Sequence, residues 1–316
     1  MNSILVTGGA GFIGSTLCER LLRIGYRVIA LDNFNDFYNP VIKRDNITTA
    51  KKDPNYVLIE GDIRDGALLN NLFRLFNINK VVHLAAMAGV RKSIDTPQEY
   101  VDVDIKGTVN LLDISKKYRI SKFIFASSSS VYGKNPTPFR EDDYINIQIS
   151  PYAVAKRSGE MFCRTYNELY NMPIICLRFF TVYGPRQRPE MAIHLFTRNI
   201  DEGKEIAIYG DGKSSRDYTY IDDIVDGIIS SIELNSSFDI INLGNSYPIQ
   251  LNKLINIIEQ KLGKYALKRY SPIQTGDAEH TCADIGRARN LLNYSPCTDI
   301  ETGIEKFVEW YKKSKN

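Results

Sequence analysis

Tyr152 and Lys156 stand four residues apart in a stretch with helical patterning, Tyr152-Ala153-Val154-Ala155-Lys156, so both side chains face the same way. Just upstream, at the end of a β-branched and aromatic run, lies a serine cluster from Ser127 to Ser130. An ordinary tyrosine keeps its proton until about pH 10, but an adjacent ammonium favours the phenolate. Such a pair can take a proton from a hydroxyl near neutral pH, and Ser128 can hydrogen-bond that hydroxyl and relay its proton.

Removing a proton from an alcohol is useful when a hydride leaves the same carbon, and the N-terminus carries a site for a hydride acceptor. Thr7-Gly8-Gly9-Ala10-Gly11-Phe12-Ile13-Gly14 sits where the first apolar run passes into the first helical pattern. Its glycines at 8, 11 and 14 allow a tight turn, close approach to a pyrophosphate and packing of helix on strand. The start of the helix offers unpaired N–H groups to the anion. Asp32 follows Gly11 by 21 residues, at the end of the second apolar run. A carboxylate there accepts hydrogen bonds from ribose hydroxyls and repels a 2′-phosphate, which selects NAD over NADP, although Lys43 and Arg44 lie close in sequence. The expected cofactor site comprises Gly8, Gly11, Phe12, Ile13, Gly14, Asp32, Asn33 and Lys43. Asp62 and Ile63 are expected beside the adenine, with Leu84, Ala85 and Ala86 near the pyrophosphate and nicotinamide ribose, joined by Tyr152 and Lys156.

These residues need a frame that gathers strand ends. Apolar runs at 3–7, 28–31, 56–59, 80–84 and 122–126 alternate with helical patterns at 12–24, 66–76 and 97–118. A helix from about Tyr152 to before Pro173 and a strand from Ile174 to Arg178 follow. Such alternation predicts an α/β fold, a doubly wound parallel sheet of Rossmann type, with a smaller C-terminal α/β lobe. The expected division is a cofactor-binding domain over residues 1–178, with contributions from about 216–245, and a substrate lobe over 179–316.

Bulk composition narrows the function classes. Among 316 residues, 43% are hydrophobic and 24% charged, as in an ordinary globular protein. A net charge of +3, with its bases dispersed, leaves no footprint for nucleic acid or an anionic membrane. No apolar stretch is long enough to span a bilayer, and the start lacks the pattern of a signal peptide, so a cytoplasmic location is expected. Five scattered cysteines and three scattered histidines predict neither a disulfide framework nor a metal site.

Taken together, the motifs resemble the extended short-chain dehydrogenase/reductase family, and within it the NAD-dependent nucleotide-sugar 4-epimerases. The resemblance runs along nearly the whole chain. It includes the glycine motif, Ser128-Ser129-Ser130-Val131-Tyr132-Gly133, Tyr152 with Lys156, Arg178-Phe179-Phe180-Thr181-Val182-Tyr183-Gly184-Pro185, Arg216-Asp217-Tyr218 and Gly276-Asp277. It implies Tyr152, Lys156 and Ser128 as catalytic residues and transient oxidation at C4 of a UDP-sugar, with NAD recycled in place. Related 4,6-dehydratases carry Asp-Glu where this chain has Ser129 and Ser130, and related decarboxylases carry Glu at Ser130, so epimerisation is the reaction left standing.

The resemblance also implies Tyr209 beside uracil, Arg216 on the diphosphate and Asp277 near the uridine ribose. Gln274 stands where some relatives have a second phosphate-binding arginine. Residues 181–191 look most like those of UDP-glucuronate 4-epimerases, with Ser129, Ser130 and Thr181 as hydroxyl partners for a carboxylate and Arg91, Arg186 or Arg188 supplying positive charge. Thr281 is smaller than the tyrosine of some relatives and leaves room for an N-acetyl group. UDP-glucuronate and UDP-N-acetylglucosamine both fit the pattern; UDP-glucose, a net-redox nucleotide-sugar reductase and a non-catalytic NAD-binding sensor are the alternatives. Asp104 stands where the family usually has Asn close to the nicotinamide. A homodimer built from the helices near 97–118 and 152–171 is also implied.

Overall fold

The computed structural model describes residues 3–272 and 278–315. Its first half runs β1 (Ser3–Thr7), α1 (Phe12–Arg23), β2 (Arg27–Asp32), α2 (Pro40–Asn46), β3 (Tyr56–Glu60), α3 (Gly66–Phe76) and β4 (Ile78–His83). Next come α4 (Val90–Asp95), α5 (Pro97–Tyr100), a π-helical segment (Val101–Lys106), α6 (Gly107–Lys117), β5 (Lys122–Ser128), α7 (Pro151–Tyr170) and β6 (Ile174–Phe179). The remainder contains β7 (Thr181–Tyr183), α8 (Ala192–Asp201), β8 (Glu205–Tyr209), β9 (Ser215–Tyr220), α9 (Ile221–Glu233) and β10 (Phe238–Leu243). It ends with β11 (Pro248–Gln250), α10 (Leu251–Leu262), β12 (Leu267–Ser271), α11 (Gly286–Leu292) and α12 (Ile300–Lys315).

Seven parallel strands form the main sheet in the order β10-β6-β5-β4-β1-β2-β3. Strand order reverses between β1 and β4, which opens a crevice at the carboxyl ends of those strands. Alternation along β1 divides the core: Ile4 and Val6 pack with Leu17 and Leu21 of α1 and Ile224 and Ile228 of α9. Leu5 faces the other way, into a second core with Leu69 and Phe73 of α3, Leu111 of α6 and Phe125 of β5. β10 closes one edge of the sheet by pairing with β6, although it follows β7, β8 and β9 in the chain. Two small sheets, β11-β9-β7 and β12-β8, hold the strands of the second half other than β10.

The buried Asp217 ties these parts together. Its carboxylate accepts the amides of Asn245 at 2.7 Å, Ser246 at 3.0 Å and Ala283 at 2.9 Å, so three chain segments meet on one side chain.

Two differences from the sequence reading matter for the site. The helix expected over 97–118 is continuous from Pro97 to Lys117 but adopts π geometry across Val101–Lys106. A short helix, α4, precedes it. At the other end, Ser150 caps α7 by accepting the Ala153 amide at 3.2 Å, with Pro151 at the first helical position. That cap fixes Tyr152 in the first turn and Lys156 one turn later.

The first βα turn is closed by contact between glycines. A Cβ added to Gly14 would lie 2.1 Å from the Gly8 carbonyl oxygen, a backbone atom held by the Gly8 amide's bond to Leu31 O at 2.8 Å. Gly14→Ala is therefore expected to lower the free energy of unfolding by about 1–3 kcal/mol, despite alanine's better helix propensity. Urea denaturation measures this, and an unchanged midpoint would contradict the crowding argument.

Candidate active site

At the glycine turn, α1 begins at Gly11 without any side-chain cap, which leaves its first amides available to an anion. Asp32 closes β2 and is buried; its Oδ2 accepts the Ala10 amide at 3.1 Å and its Oδ1 accepts the Phe34 amide at 2.9 Å. Lys43 Nζ lies 3.6 Å from Oδ1 and donates to Asn35 Oδ1 at 2.9 Å, so the lysine compensates a buried carboxylate. Asn33 donates to Asp62 at 2.8 Å. Hydrogen bonds from Arg64, against a smaller opposing effect of burial, hold the Asp62 carboxyl well below its ordinary range. The tight glycine cradle, the uncapped helix start and a strand-end carboxylate together fit a dinucleotide with free ribose hydroxyls.

The residues expected to handle the proton meet at the end of β5 and the start of α7. Lys156 is buried, and its Nζ donates to Ala126 O at 2.9 Å while lying 5.9 Å from the centre of the Tyr152 ring. This approach depends on Gly159, whose missing Cβ would fall 2.2 Å from the Phe125 ring. Ser128 Oγ accepts the Ser130 amide at 3.2 Å and the Ser130 hydroxyl at 3.0 Å.

Beneath the serines lies a buried charge cluster. Sheet register sets Ser127 beside Arg178. Arg178 meets Glu160 in a fork, Nε to Oε1 at 2.8 Å and Nη2 to Oε2 at 2.9 Å, while Ser127 donates to Oε1 at 2.6 Å and Arg157 to Oε2 at 2.8 Å. Burial alone would raise the Glu160 carboxyl; Arg178 leads the contacts that bring it below its ordinary value.

On the other side, His83 links the cofactor loop to the π segment. The Ala85 amide donates to Thr7 Oγ1 at 3.2 Å, and Thr7 Oγ1 lies 2.8 Å from His83 Nδ1. His83 Nε2 lies 3.0 Å from Thr108 Oγ1, which donates to the Asp104 carbonyl. Followed in that order, the donors require a neutral imidazole with its proton on Nε2. Burial, with Lys156 nearby, pushes this imidazole down to about 3.

A cavity of about 450 Å³ joins these regions. Its walls include Gly8, Gly11, Phe12, Ile13, Gly14, Asp32, Asn33, Lys43, Asp62, Ile63, Leu84, Ala85 and Ala86 from the cofactor set. Ser128, Ser129, Ser130, Tyr152, Lys156, Thr181, Arg188, Arg216 and Thr281 line the same space. Arg216 Nη1 is held by the carbonyls of Ser215 at 3.1 Å and Glu279 at 3.0 Å, and Arg188 Nε lies 2.7 Å from Glu190.

Other candidates fall elsewhere. Arg91 and Tyr209 do not line the cavity; they stack on each other, guanidinium to ring centre 4.9 Å. Arg186 turns to α1 and bonds Glu19 at 2.7 Å, outside the cavity wall. Gln274 and Asp277 lie outside the described residues. Phe37, Tyr38 and Val103 line the cavity without having been singled out in the sequence. Phe37 and Tyr38 carry a signal of sorts, as aromatics of an Asn- and Asp-rich loop right after the Asp32 strand.

Fold and site together define a dinucleotide-binding protein with a tyrosine–lysine pair in its crevice. The family model for the NAD dependent epimerase/dehydratase family matches residues 4–244. A UDP-glucuronate 4-epimerase from Thermodesulfobacterium geofontis is 42% identical over 315 residues, covering 99% of this chain and 97% of its own. The crystal structure of UDP-glucuronic acid 4-epimerase from Bacillus cereus in complex with UDP-glucuronic acid and NAD aligns with a TM-score of 0.94 at 38% identity, covering 99% of each chain. A UDP-glucose 4-epimerase from Thermotoga maritima, solved with UDP-glucose, aligns with a TM-score of 0.91 at 33% identity over 99% of this chain and 100% of that one. The chain belongs to the NAD dependent epimerase/dehydratase family.

The buried histidine sets a pH dependence. An unfolded histidine takes a proton below about 6.5, whereas folded His83 stays neutral down to about 3. Its contribution to stability is complete above about pH 6.5 and is lost as pH falls, by up to about 1.4 kcal/mol per unit. Asp104, pushed up to about 7 by burial, acts oppositely between the ordinary carboxylate range and neutrality, so the histidine must be isolated by comparison. His83→Gln is expected to flatten the acid limb of stability measured by urea denaturation between pH 4 and 6.5, and parallel limbs would contradict this.

Proposed function

We propose that this protein is an NAD-dependent UDP-sugar 4-epimerase whose substrate is UDP-glucuronate. The observation that carries the reading is one cavity holding a tyrosine–lysine pair, a strand-end serine and a wall of hydroxyls with one guanidinium, Ser129, Ser130, Thr181 and Arg188, whose chemistry suits a carboxylate. Gly8, Gly11, Phe12, Ile13, Gly14, Asp32, Asn33, Lys43, Asp62, Ile63, Leu84, Ala85 and Ala86 would hold the cofactor. When bound, NAD supplies a nicotinamide ring that accepts a hydride and returns it.

The chain's own residues handle the proton and the carboxylate. Tyr152 takes the proton of the sugar 4-hydroxyl, with Lys156 stabilising the phenolate and Ser128 orienting the hydroxyl. Lys156 is fixed to the Ala126 carbonyl, so its charge is in place before substrate arrives. Tyr152 then returns a proton to the C4 oxygen of the inverted sugar, and no net redox change follows.

Ser129 and Ser130 offer hydroxyls to the C6 carboxylate but no acid to expel a leaving group. Arg188, in the cavity wall with its Nε paired to Glu190, would add positive charge through its remaining guanidinium N–H groups. A 4-keto acid loses CO2 when its carboxylate bond aligns with the carbonyl, and a carboxylate held by several fixed hydroxyls is kept from that alignment. Arg216 suits the diphosphate, its guanidinium already oriented by two carbonyls. Tyr209 and Asp277 are assigned to the uridine, and Gln274 to the diphosphate region, on resemblance. A second reading, UDP-N-acetylglucosamine, is favoured by Thr281, a small side chain in the cavity wall.

By this account residues 1–178, with about 216–245, bind the cofactor, and 179–316 bind the UDP-sugar. α7 exposes Val154, Met161, Phe162 and Leu169, which supports a homodimer formed through this helix and the run from Pro97 to Lys117. Among the described residues no helix is long and apolar enough to cross a membrane, in keeping with a cytoplasmic enzyme.

Tyr152→Phe is expected to lower kcat for UDP-glucuronate by about 10²–10⁴-fold while the purified protein keeps its NAD. Product NMR on UDP-glucuronate, UDP-N-acetylglucosamine and UDP-glucose checks both residue and substrate. Undiminished turnover by the variant would overturn the role of Tyr152, and preference for another sugar would overturn the substrate.

A further inference from the structure

Asp104 is a buried ionisable group close to the site that the reaction above does not use. It sits in the π-helical segment and is 3% exposed. Its Oδ1 accepts the Met87 amide at 2.6 Å, from the loop that follows β4. Its Oδ2 is buried with no hydrogen-bond partner among the described residues. The sequence resemblance leads one to expect Asn at this position. A neutral carboxylic acid presents one acceptor and one donor, as a carboxamide does, whereas a carboxylate would bury an ionised oxygen without a partner. Only the acid can lose that proton. Burial pushes the carboxyl up to about 7, against the pull of the Lys156 ammonium and the Met87 amide.

The groups around it come from each neighbouring element. Tyr152 and Lys156 lie on α7, and Glu99 and Tyr100 lie on α5, with Tyr100 meeting Tyr152 edge-on at 6.2 Å between ring centres. Thr108, at the start of α6, connects the Asp104 carbonyl to neutral His83 on β4. Arg188, a cavity residue, acts electrostatically on Tyr100. On its own segment, Asp102 and Lys106 are partly exposed and pair with each other at 3.2 Å, Asp102 also pairing with Arg64. Lys156 is thus the cation that acts directly on Asp104, and the same cation serves Tyr152.

We propose that Asp104 is a positioning residue for the reacting proton, acting through Lys156: its neutral carboxyl leaves the ammonium free to favour the Tyr152 phenolate, and its ionisation offsets that charge and slows proton removal. No proton passes from Asp104 to the sugar. The proton of the 4-hydroxyl still goes to Tyr152 and returns from it, so the reaction balances as before. An amide at this position would lack the effect, and this chain therefore carries a built-in brake toward alkaline pH.

The proposal rests on Tyr152 being the proton acceptor, and the experiment separates the two. NAD-loaded wild type and Asp104→Asn are assayed for UDP-glucuronate epimerisation from pH 6 to pH 8. Their ratio of kcat cancels titrations common to both. The ratio of wild type to variant is expected to fall about tenfold over that range, and a flat ratio overturns the proposal. Turnover by Tyr152→Phe would reveal failure of the underlying reading instead. A measurement independent of activity follows the carboxyl carbons of enzyme labelled with ¹³C-aspartate. A carboxyl titrating near neutrality, absent from Asp104→Asn and Asp104→Ser, is the expected result; no carboxyl titrating above pH 6 in wild type overturns the proposal outright.

Discussion

One hydrogen bond fixes the geometry on which everything else depends: Lys156 Nζ donating to the Ala126 carbonyl at 2.9 Å. It pins a cation from α7 to the end of the interior strand β5, and the same helical turn then presents Tyr152 to the crevice. An ammonium buried to this degree would be costly without partners. Here the carbonyl and the ring faces of Tyr152 and Phe125, at 5.9 and 5.4 Å, supply them. The interaction requires α7 to lie hard against β5, which Gly159 permits and the Ser150 cap aligns.

Behind this contact, the fold protects a second set of buried charges. Glu160 is shared by Arg178, Arg157 and Ser127, and Arg178 also covers the Tyr132 ring at 4.7 Å. Losing either Arg178 or Glu160 leaves its partner charged in an apolar interior, which costs about 3–5 kcal/mol. The network ties α7 to β5 and β6 directly under Ser128, so rigidity of that serine and stability of the sheet have a common source. Across the crevice, the His83 chain does similar work without net charge, connecting the cofactor loop to the segment that bears Asp104.

Much of this was legible in the sequence because it is local. The glycine turn, Asp32 at the end of β2, and the Tyr152–Lys156 pair are short-range patterns whose geometry follows from strand and helix periods. The parallel sheet followed from alternating runs, and all seven of its strands pair in parallel. Contacts between distant segments were not legible. Nothing near Glu160 announces that it is buried beneath Ser127, since that depends on the register of β5 with β6 and on the pose of α7. Arg91, Arg186 and Arg188 read alike as cations in the sequence, yet only Arg188 lines the cavity, because Glu19 captures Arg186 and Tyr209 stacks with Arg91. Helical periodicity across 97–118 likewise could not reveal the π turn that houses Asp104.

The central claim is that a carbon is oxidised and rebuilt while its hydrogen never reaches solvent. UDP-glucuronate carrying deuterium at C4, incubated with the NAD-loaded enzyme in ordinary water and followed by ¹H NMR and mass spectrometry, tests this most directly. The account predicts a C4-inverted product that keeps its deuterium. Washout of the label to hydrogen, or inversion with the label moved to another carbon, would contradict it.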